Sequence, residues 1–343
     1  MTMPAGRRIV ATLLIVAAAW LAFPGRARAS DVNALSLRLD WVPWGVQAPI
    51  FLAAEKGWFK KAGIDVEIVD GNGSAITVQR VAAHQFDVGL AALSTMAFAR
   101  GKGLPVISIA GFFRKGDIGL LVPRNSPVES PKDLAGKRIA YTAGSLEAPF
   151  IDAFLAAGGL KRNQVQLLNV DAGAKVATYL SGNVGGVFSS APFALPLVEA
   201  KRPSRAMLFS DAGLNLPSFG LFTTTSELRE KGPALKRLAS IVAGSWAYVV
   251  AGHVDEAADA MMRQRPQAKL QPALLRAQIK QSIAFLYTPA SAKLPIGFQA
   301  TEDWTNAIAV MEKAGMITPG SQPSHYFTND YLDPALFHAV SGD

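Results

Sequence analysis

The segment Ile64-Asp65-Val66-Glu67-Ile68-Val69-Asp70-Gly71-Asn72-Gly73-Ser74 runs from branched apolar residues into a turn of glycine, asparagine and serine. Residues 76–84 then recur at helical spacing. A strand, a Gly-rich turn and a helix start, in that order, are the building unit of a parallel sheet. The unit recurs on both sides. Leu35-Ser36-Leu37-Arg38-Leu39 alternates as a strand, and residues 49–61 place Ile50, Phe51, Ala54 and Trp58 on one helical face with Gly63 as a stop. Residues 86–90 predict a third strand, a helix of small residues runs to Arg100, and residues 106–110 predict a fourth strand. The pattern then restarts. Residues 137–141 read as a strand, 146–157 as a helix closed by Gly158-Gly159, 165–170 as a strand, 175–180 as a helix and 186–189 as a strand.

Two α/β units in series are therefore expected. The apolar stretches Ile118-Gly119-Leu120-Leu121-Val122 and Phe219-Gly220-Leu221-Phe222-Thr223 follow the two units and read as crossing strands that link two lobes. Residues 234–264, 272–286 and 301–315 carry apolar residues at helical period, and these helices are expected to pack back on the first lobe.

The N-terminus predicts the compartment. Arg7 and Arg8 precede an apolar run from Ile9 to Phe23, and Ala27-Arg28-Ala29 supplies small residues before Ser30. This is the layout of a secretory signal peptide over residues 1–29, cleaved after Ala29. The run is shorter than the roughly 20 residues of a membrane span. Removing it takes four arginines and no acid, so the formal charge falls from +8 to +4 over 314 residues. No run of clustered Lys and Arg marks a nucleic-acid binder. The absence of cysteine excludes disulfides, thiolate metal sites, thiol catalysis and a lipid-bearing cysteine. The expected mature protein is a free periplasmic monomer.

Candidate chemistry gathers in the loops after the strands. Asp70-Gly71-Asn72-Gly73-Ser74, Ala92-Leu93-Ser94-Thr95, Thr142-Ala143-Gly144-Ser145 and Ser189-Ser190-Ala191-Pro192 each join a strand to a helix start. Ligands of open parallel sheets bind beyond the carboxyl ends of the strands, where such loops meet. Helix N–H groups there suit an anionic oxygen, although Ser and Thr at these positions are also ordinary caps. Trp41 and Trp44 add an aromatic wall with N–H handles, or pack beneath the next helix. Glu147 opens a predicted helix. It either faces solvent, as the helix dipole favours, or faces the cleft and selects an amino or ring N–H group. His84, His253, His325 and His338 have no metal-ligand spacing, and no nucleophile elbow is present. No catalytic residue, metal or cofactor is expected.

Leu39-Asp40-Trp41-Val42-Pro43, Ala53-Ala54-Glu55-Lys56-Gly57-Trp58-Phe59 and Pro131-Lys132-Asp133-Leu134-Ala135-Gly136-Lys137 resemble the thiamine-pyrimidine-precursor and alkanesulfonate-type solute-binding family of ABC importers. So do Met311-Glu312-Lys313-Ala314-Gly315 and Tyr326-Phe327-Thr328-Asn329-Asp330-Tyr331. The resemblance implies a two-lobed α/β periplasmic binding protein of type II, a Venus flytrap, with a helical C-terminal extension. Lobe 1 would hold residues 30–118 and 225–343, and lobe 2 residues 119–224 with the crossing strands. It implies delivery of a small-molecule ligand to a membrane permease with a cytoplasmic ATPase. By position, the cleft would use Trp41, Gly73, Ser74, Ser94, Thr142, Gly144, Ser145 and Ser190, to which the loop and aromatic readings add Trp44, Thr95 and Glu147. A periplasmic sensor is the alternative. An enzyme on the same fold is a second rival, but the family's fungal enzymatic branch needs a cysteine-rich motif, and this chain has no cysteine. The solute is expected to be pyrimidine-type, a sulfonate or an aromatic carboxylate.

Overall fold

A computed structural model describes residues 32–341; the predicted signal peptide lies outside them. The first sheet contains β1 (Ala34–Arg38), β2 (Asp65–Val69), β3 (Val88–Ala92), β4 (Val106–Gly111) and, far along the chain, β10 (Phe219–Thr224). Its order is β2-β1-β3-β10-β4. The second sheet contains β5 (Ile118–Pro123), β6 (Arg138–Tyr141), β7 (Gln166–Asn169), β8 (Gly186–Ser190) and β9 (Ser204–Leu208) in the order β7-β6-β8-β5-β9. The two orders are the same pattern used twice. In each sheet four strands run in one direction, and the fourth in order is antiparallel to both its neighbours.

Helices cover both faces, so central strands carry no polar face. Every residue of β3, β8 and β10 is buried, and so is β4 at one edge, whereas edge strand β2 keeps Asp65 and Glu67 exposed. The helices of the first unit are α1 (Ala48–Glu55), α2 (Trp58–Lys61), α3 (Ser74–Ala82) and α4 (Leu93–Gly101). Those of the second are α5 (Ile151–Ala157), α6 (Lys175–Leu180) and α7 (Ala191–Val198). The extension adds α8 (Thr225–Val250), α9 (Val254–Gln264), α10 (Pro272–Ile283), α11 (Thr301–Lys313) and α12 (Pro334–Ser341). No helix among the described residues is long and apolar enough to cross a membrane.

Several expectations need correction. The predicted crossing strands are sheet members, and the crossings themselves are the connectors 112–117 and 209–218. Ile118 pairs with Ser190 in the second sheet, while Phe219–Thr223 pairs with Ala92–Val88 in the first. Sheet membership thus moves the second boundary from residue 224 back to about 218, because β10 satisfies its backbone on β3 and β4. The helix expected over 49–61 breaks at Gly57, whose φ of 70° no helix accommodates. The helix expected from Leu146 becomes α-helical only at Ile151. Pro149 has no N–H for the ladder, and a short 3₁₀ turn occupies Ala148–Phe150. The long C-terminal helix starts at Thr225, capped by Thr224 Oγ1 accepting from Glu227 N–H at 3.2 Å, and is bent at Lys231 beside Pro233.

The second lobe has its own aromatic core. Phe154 of α5 stacks on Phe209 with centroids 4.4 Å apart, and Phe188 of β8 meets both edge-on. All three are fully buried or nearly so. Phe154→Ala is expected to lower the unfolding free energy by about 3–5 kcal/mol in urea titrations, because it leaves a cavity among buried aromatic rings.

Candidate functional site

The loops at the carboxyl ends of both sheets meet at a narrow, nearly closed cleft. It is lined from the first lobe by Asp40, Trp41, Trp44, Ser74 and Phe219, and from the second by Ser145, Leu146, Lys175, Ser189, Ser190 and Phe193. The lobes touch around it. Thr95 Oγ1 donates to the Leu146 carbonyl at 3.3 Å, and Trp41 and Trp44 meet Phe193 edge-on at 6.4 and 5.5 Å. The Lys175 ammonium lies 5.4 Å from the Trp41 ring centre.

Glycine makes this approach possible. Gly73 adopts φ of 149°, and a Cβ there would overlap the Gly144 carbonyl. Gly73 N–H donates to the Asp40 carbonyl at 2.6 Å, and Gly71 N–H to that of Trp41 at 3.1 Å, so the Gly-rich turn lies directly beneath the tryptophan loop.

The cleft is acidic and most of its hydroxyls are committed. Asp40 is buried, with Trp44 Nε1 donating to Oδ2 at 3.3 Å and Gln47 Nε2 to Oδ1 at 3.0 Å. Burial pushes its carboxyl up to about 7 against the pull of these donors, and Asp117 adds to the rise. Burial likewise pushes Asp117 up to about 6, opposed by the Ser190 and Ser218 hydroxyls. Ser190 Oγ donates to Asp117. Ser145 Oγ donates to Glu147 and accepts from Lys175 Nζ at 3.2 Å. Ser74 Oγ accepts from Ala92 N–H at 3.1 Å, and Thr142 Oγ1 donates to the Val170 carbonyl at 2.8 Å.

The starts of α4 and α7 are occupied too. Leu93 and Ser94 N–H donate to the Ser218 and Pro217 carbonyls, and Ala191 N–H to that of Asp117. An oxyanion at these sites would have to displace bonds already made, which runs against the anion reading of these turns.

Of the expected residues, Trp41, Trp44, Ser74, Ser145 and Ser190 line the cleft. Gly73, Gly144 and Thr95 make the seam between the lobes instead. Thr142 turns toward Val170, and Ser94 is buried with its hydroxyl unpartnered away from the cleft lining. Glu147 faces neither solvent nor the cleft. It is fully buried and ion-paired with Lys175 at 2.5 Å. The residues not anticipated as cleft lining are Asp40, Leu146, Lys175, Ser189, Phe193 and Phe219, with Asp117 just behind Ser190. Asp40 adjoins the tryptophan already singled out and Phe193 follows the helix-starting Pro192, whereas Lys175 carries no local signal.

A profile described as NMT1/THI5 like matches residues 44–257. The chain belongs to this family. The formylaminopyrimidine-binding protein of Halalkalibacterium halodurans is 24% identical over 307 residues, covering 87% of this chain and 92% of that protein. The 4-amino-5-hydroxymethyl-2-methylpyrimidine phosphate synthase THI11 of Saccharomyces cerevisiae is 30% identical over 151 residues, 44% of each chain. Among solved structures, the alkanesulfonate-binding protein SsuA of Xanthomonas axonopodis pv. citri, bound to MOPS, aligns with a TM-score of 0.66 at 15% identity, over 86% of this chain and 98% of that one. The fold is that of periplasmic binding proteins.

Asp40 makes stability depend on pH in a defined direction. Between about pH 4 and 7 the folded state holds a proton that the unfolded chain has released, so stability falls as pH rises through that window. Relative to Asp40→Asn, the wild type is expected to lose on the order of 3–4 kcal/mol between pH 4 and 8, read from unfolding curves of both proteins. Parallel curves would show that Asp40 does not titrate in this range.

Proposed function

We propose that the chain is the periplasmic substrate-binding subunit of an ABC importer and captures a small planar solute of pyrimidine type for its permease. One observation carries the choice among solute classes. The cleft sets a buried carboxyl, Asp40, against the rings of Trp41, Trp44, Phe193 and Phe219, while the hydroxyls of Ser74, Ser145 and Ser190 are already engaged.

A carboxyl that titrates near neutrality offers an acceptor and, when protonated, a donor. Together these complement an amino group beside a ring nitrogen. The aromatic residues supply apolar walls for a flat ring. A sulfonate or nitrate would instead meet a carboxylate, and the cleft lysine is already paired with Glu147. The relative named for formylaminopyrimidine, matched along most of both chains, supports the same class. In this reading Trp41, Trp44 and Phe193 hold the ring, Asp40 reads its nitrogen edge, and Ser145, Ser190 and Lys175 complete the second wall. The Gly73–Gly144 contact lets the lobes close.

The test is a thermal-shift screen of the mature protein from Ser30 onward against aminopyrimidines, sulfonates, nitrate and aromatic acids. A solute at a hundred times its Kd contributes about 2.7 kcal/mol, so an aminopyrimidine is expected to raise the midpoint by several degrees while sulfonates and nitrate leave it unchanged. Asp40→Asn is expected to weaken aminopyrimidine binding roughly tenfold to a hundredfold, the loss of one charge-assisted contact. A shift with sulfonates or nitrate alone would overturn the solute class, and turnover of any solute would overturn the transport role.

A further inference from the structure

Helix α10 reaches further than the first lobe. It packs on the Gly45–Gln47 turn and α9, and also on α7 of the second lobe. Gln278 lies on this helix, 4% exposed, and its single amide spans the seam. Oε1 accepts from Gly45 N–H at 3.1 Å, and Nε2 donates to the Phe193 carbonyl at 2.9 Å. The amide can be oriented only one way, because a backbone N–H can only donate and a carbonyl can only accept. A Cβ on Gly45 would overlap Gln278 and the Ile279 nitrogen, so α10 rests directly on the loop that follows Trp44.

The two backbone groups held by Gln278 belong to, or adjoin, the residues whose rings face each other in the cleft, Trp44 and Phe193. Gln278 itself is outside the cleft lining. We propose that Gln278 is a positioning residue that latches the two aromatic walls together and stabilises the closed form before any solute is bound. Every atom of the latch belongs to the protein, so its contribution does not depend on the solute. When the lobes part, Gln278 Nε2 and the Phe193 carbonyl pass to water, so the net gain is that of one exchanged hydrogen bond. That scale suits a device that biases a population without locking it. The Thr95–Leu146 bond and the Lys175–Trp41 contact are further ties across the seam and do not involve α10. The inference rests on the reading of this cleft as one that closes around a solute.

The chain has no cysteine, so Lys60→Cys and Lys161→Cys, exposed positions on different lobes, accept a dye pair cleanly. Single-molecule energy transfer on the solute-free mature protein then gives the closed-to-open ratio. Gln278→Glu keeps an acceptor for Gly45 and sets a carboxylate against the Phe193 carbonyl. Its ratio is expected to fall roughly tenfold, with the unfolding midpoint within a few degrees of wild type. Gln278→Met, which fills similar space without either bond, is expected to lower the ratio roughly fivefold and serves if the glutamate variant does not fold. A ratio within twofold of wild type in the folded variants overturns the latch, as does a wild type with no measurable closed population. If the variants shift the ratio but no solute shifts the wild type, the latch stands and the capture reading falls.

Discussion

Strands β5 and β10 are hydrogen-bonded along both edges, each between two strands of the sheet that the other unit of the chain begins. Placing each one in mid-sheet forces the chain to leave the first sheet after β4 and to return after β9. Backbone groups buried in the centre of a sheet must stay paired, so neither strand can bend without losing a ladder of bonds. Relative motion of the lobes is thereby confined to the two connectors, residues 112–117 and 209–218. This arrangement also aims the carboxyl ends of both sets of parallel strands at a shared seam, and the seam's chemistry follows from it.

At that seam, proximity decides which groups are free to act. Serine and threonine at helix starts have general anion-binding potential, yet here their hydroxyls and neighbouring amides are spent on Glu147, Asp117, Val170 and the return connector. What remains directed at the cleft is chiefly aromatic surface, with Ser189 and an Asp40 carboxyl that already accepts from Trp44 and Gln47. Keeping that carboxyl buried lowers stability as it ionises, which is the kind of local cost a binding site accepts when the buried group has a partner to meet. The Glu147–Lys175 pair is a contrasting case. Both charges are buried and satisfied by each other and by Ser145, so they shape the wall and leave little capacity for an outside partner.

The C-terminal helices place a second constraint on the same seam. Most of them cover the first sheet, but α10 lies where it touches both walls of the cleft at once. A latch formed by backbone groups beside Trp44 and Phe193 acts on the geometry of the walls and leaves their chemistry alone. Affinity and selectivity can therefore be tuned at separate residues.

The alternation of apolar runs with Gly- and Ser-rich turns was enough, without coordinates, to specify two α/β units, their helical extension and the tryptophan loop of the cleft. These features are local: strand and helix periods, turn residues and caps act over a few positions. Helix boundaries at Gly57 and Pro149 were equally local but outweighed by the longer apolar pattern around them. Other features depended on contacts between residues far apart in the chain. Glu147 meets Lys175 across 28 positions, Ser190 meets Asp117 across 73, and Gln278 meets Gly45 across 233. Whether a serine at a helix start faces a ligand or a carboxylate depends on which distant side chain folding brings beside it. The succession of strands and helices was therefore legible in the sequence pattern alone, while the strand order of each sheet, the polarity of the cleft and the tie that closes it were decided only by tertiary packing.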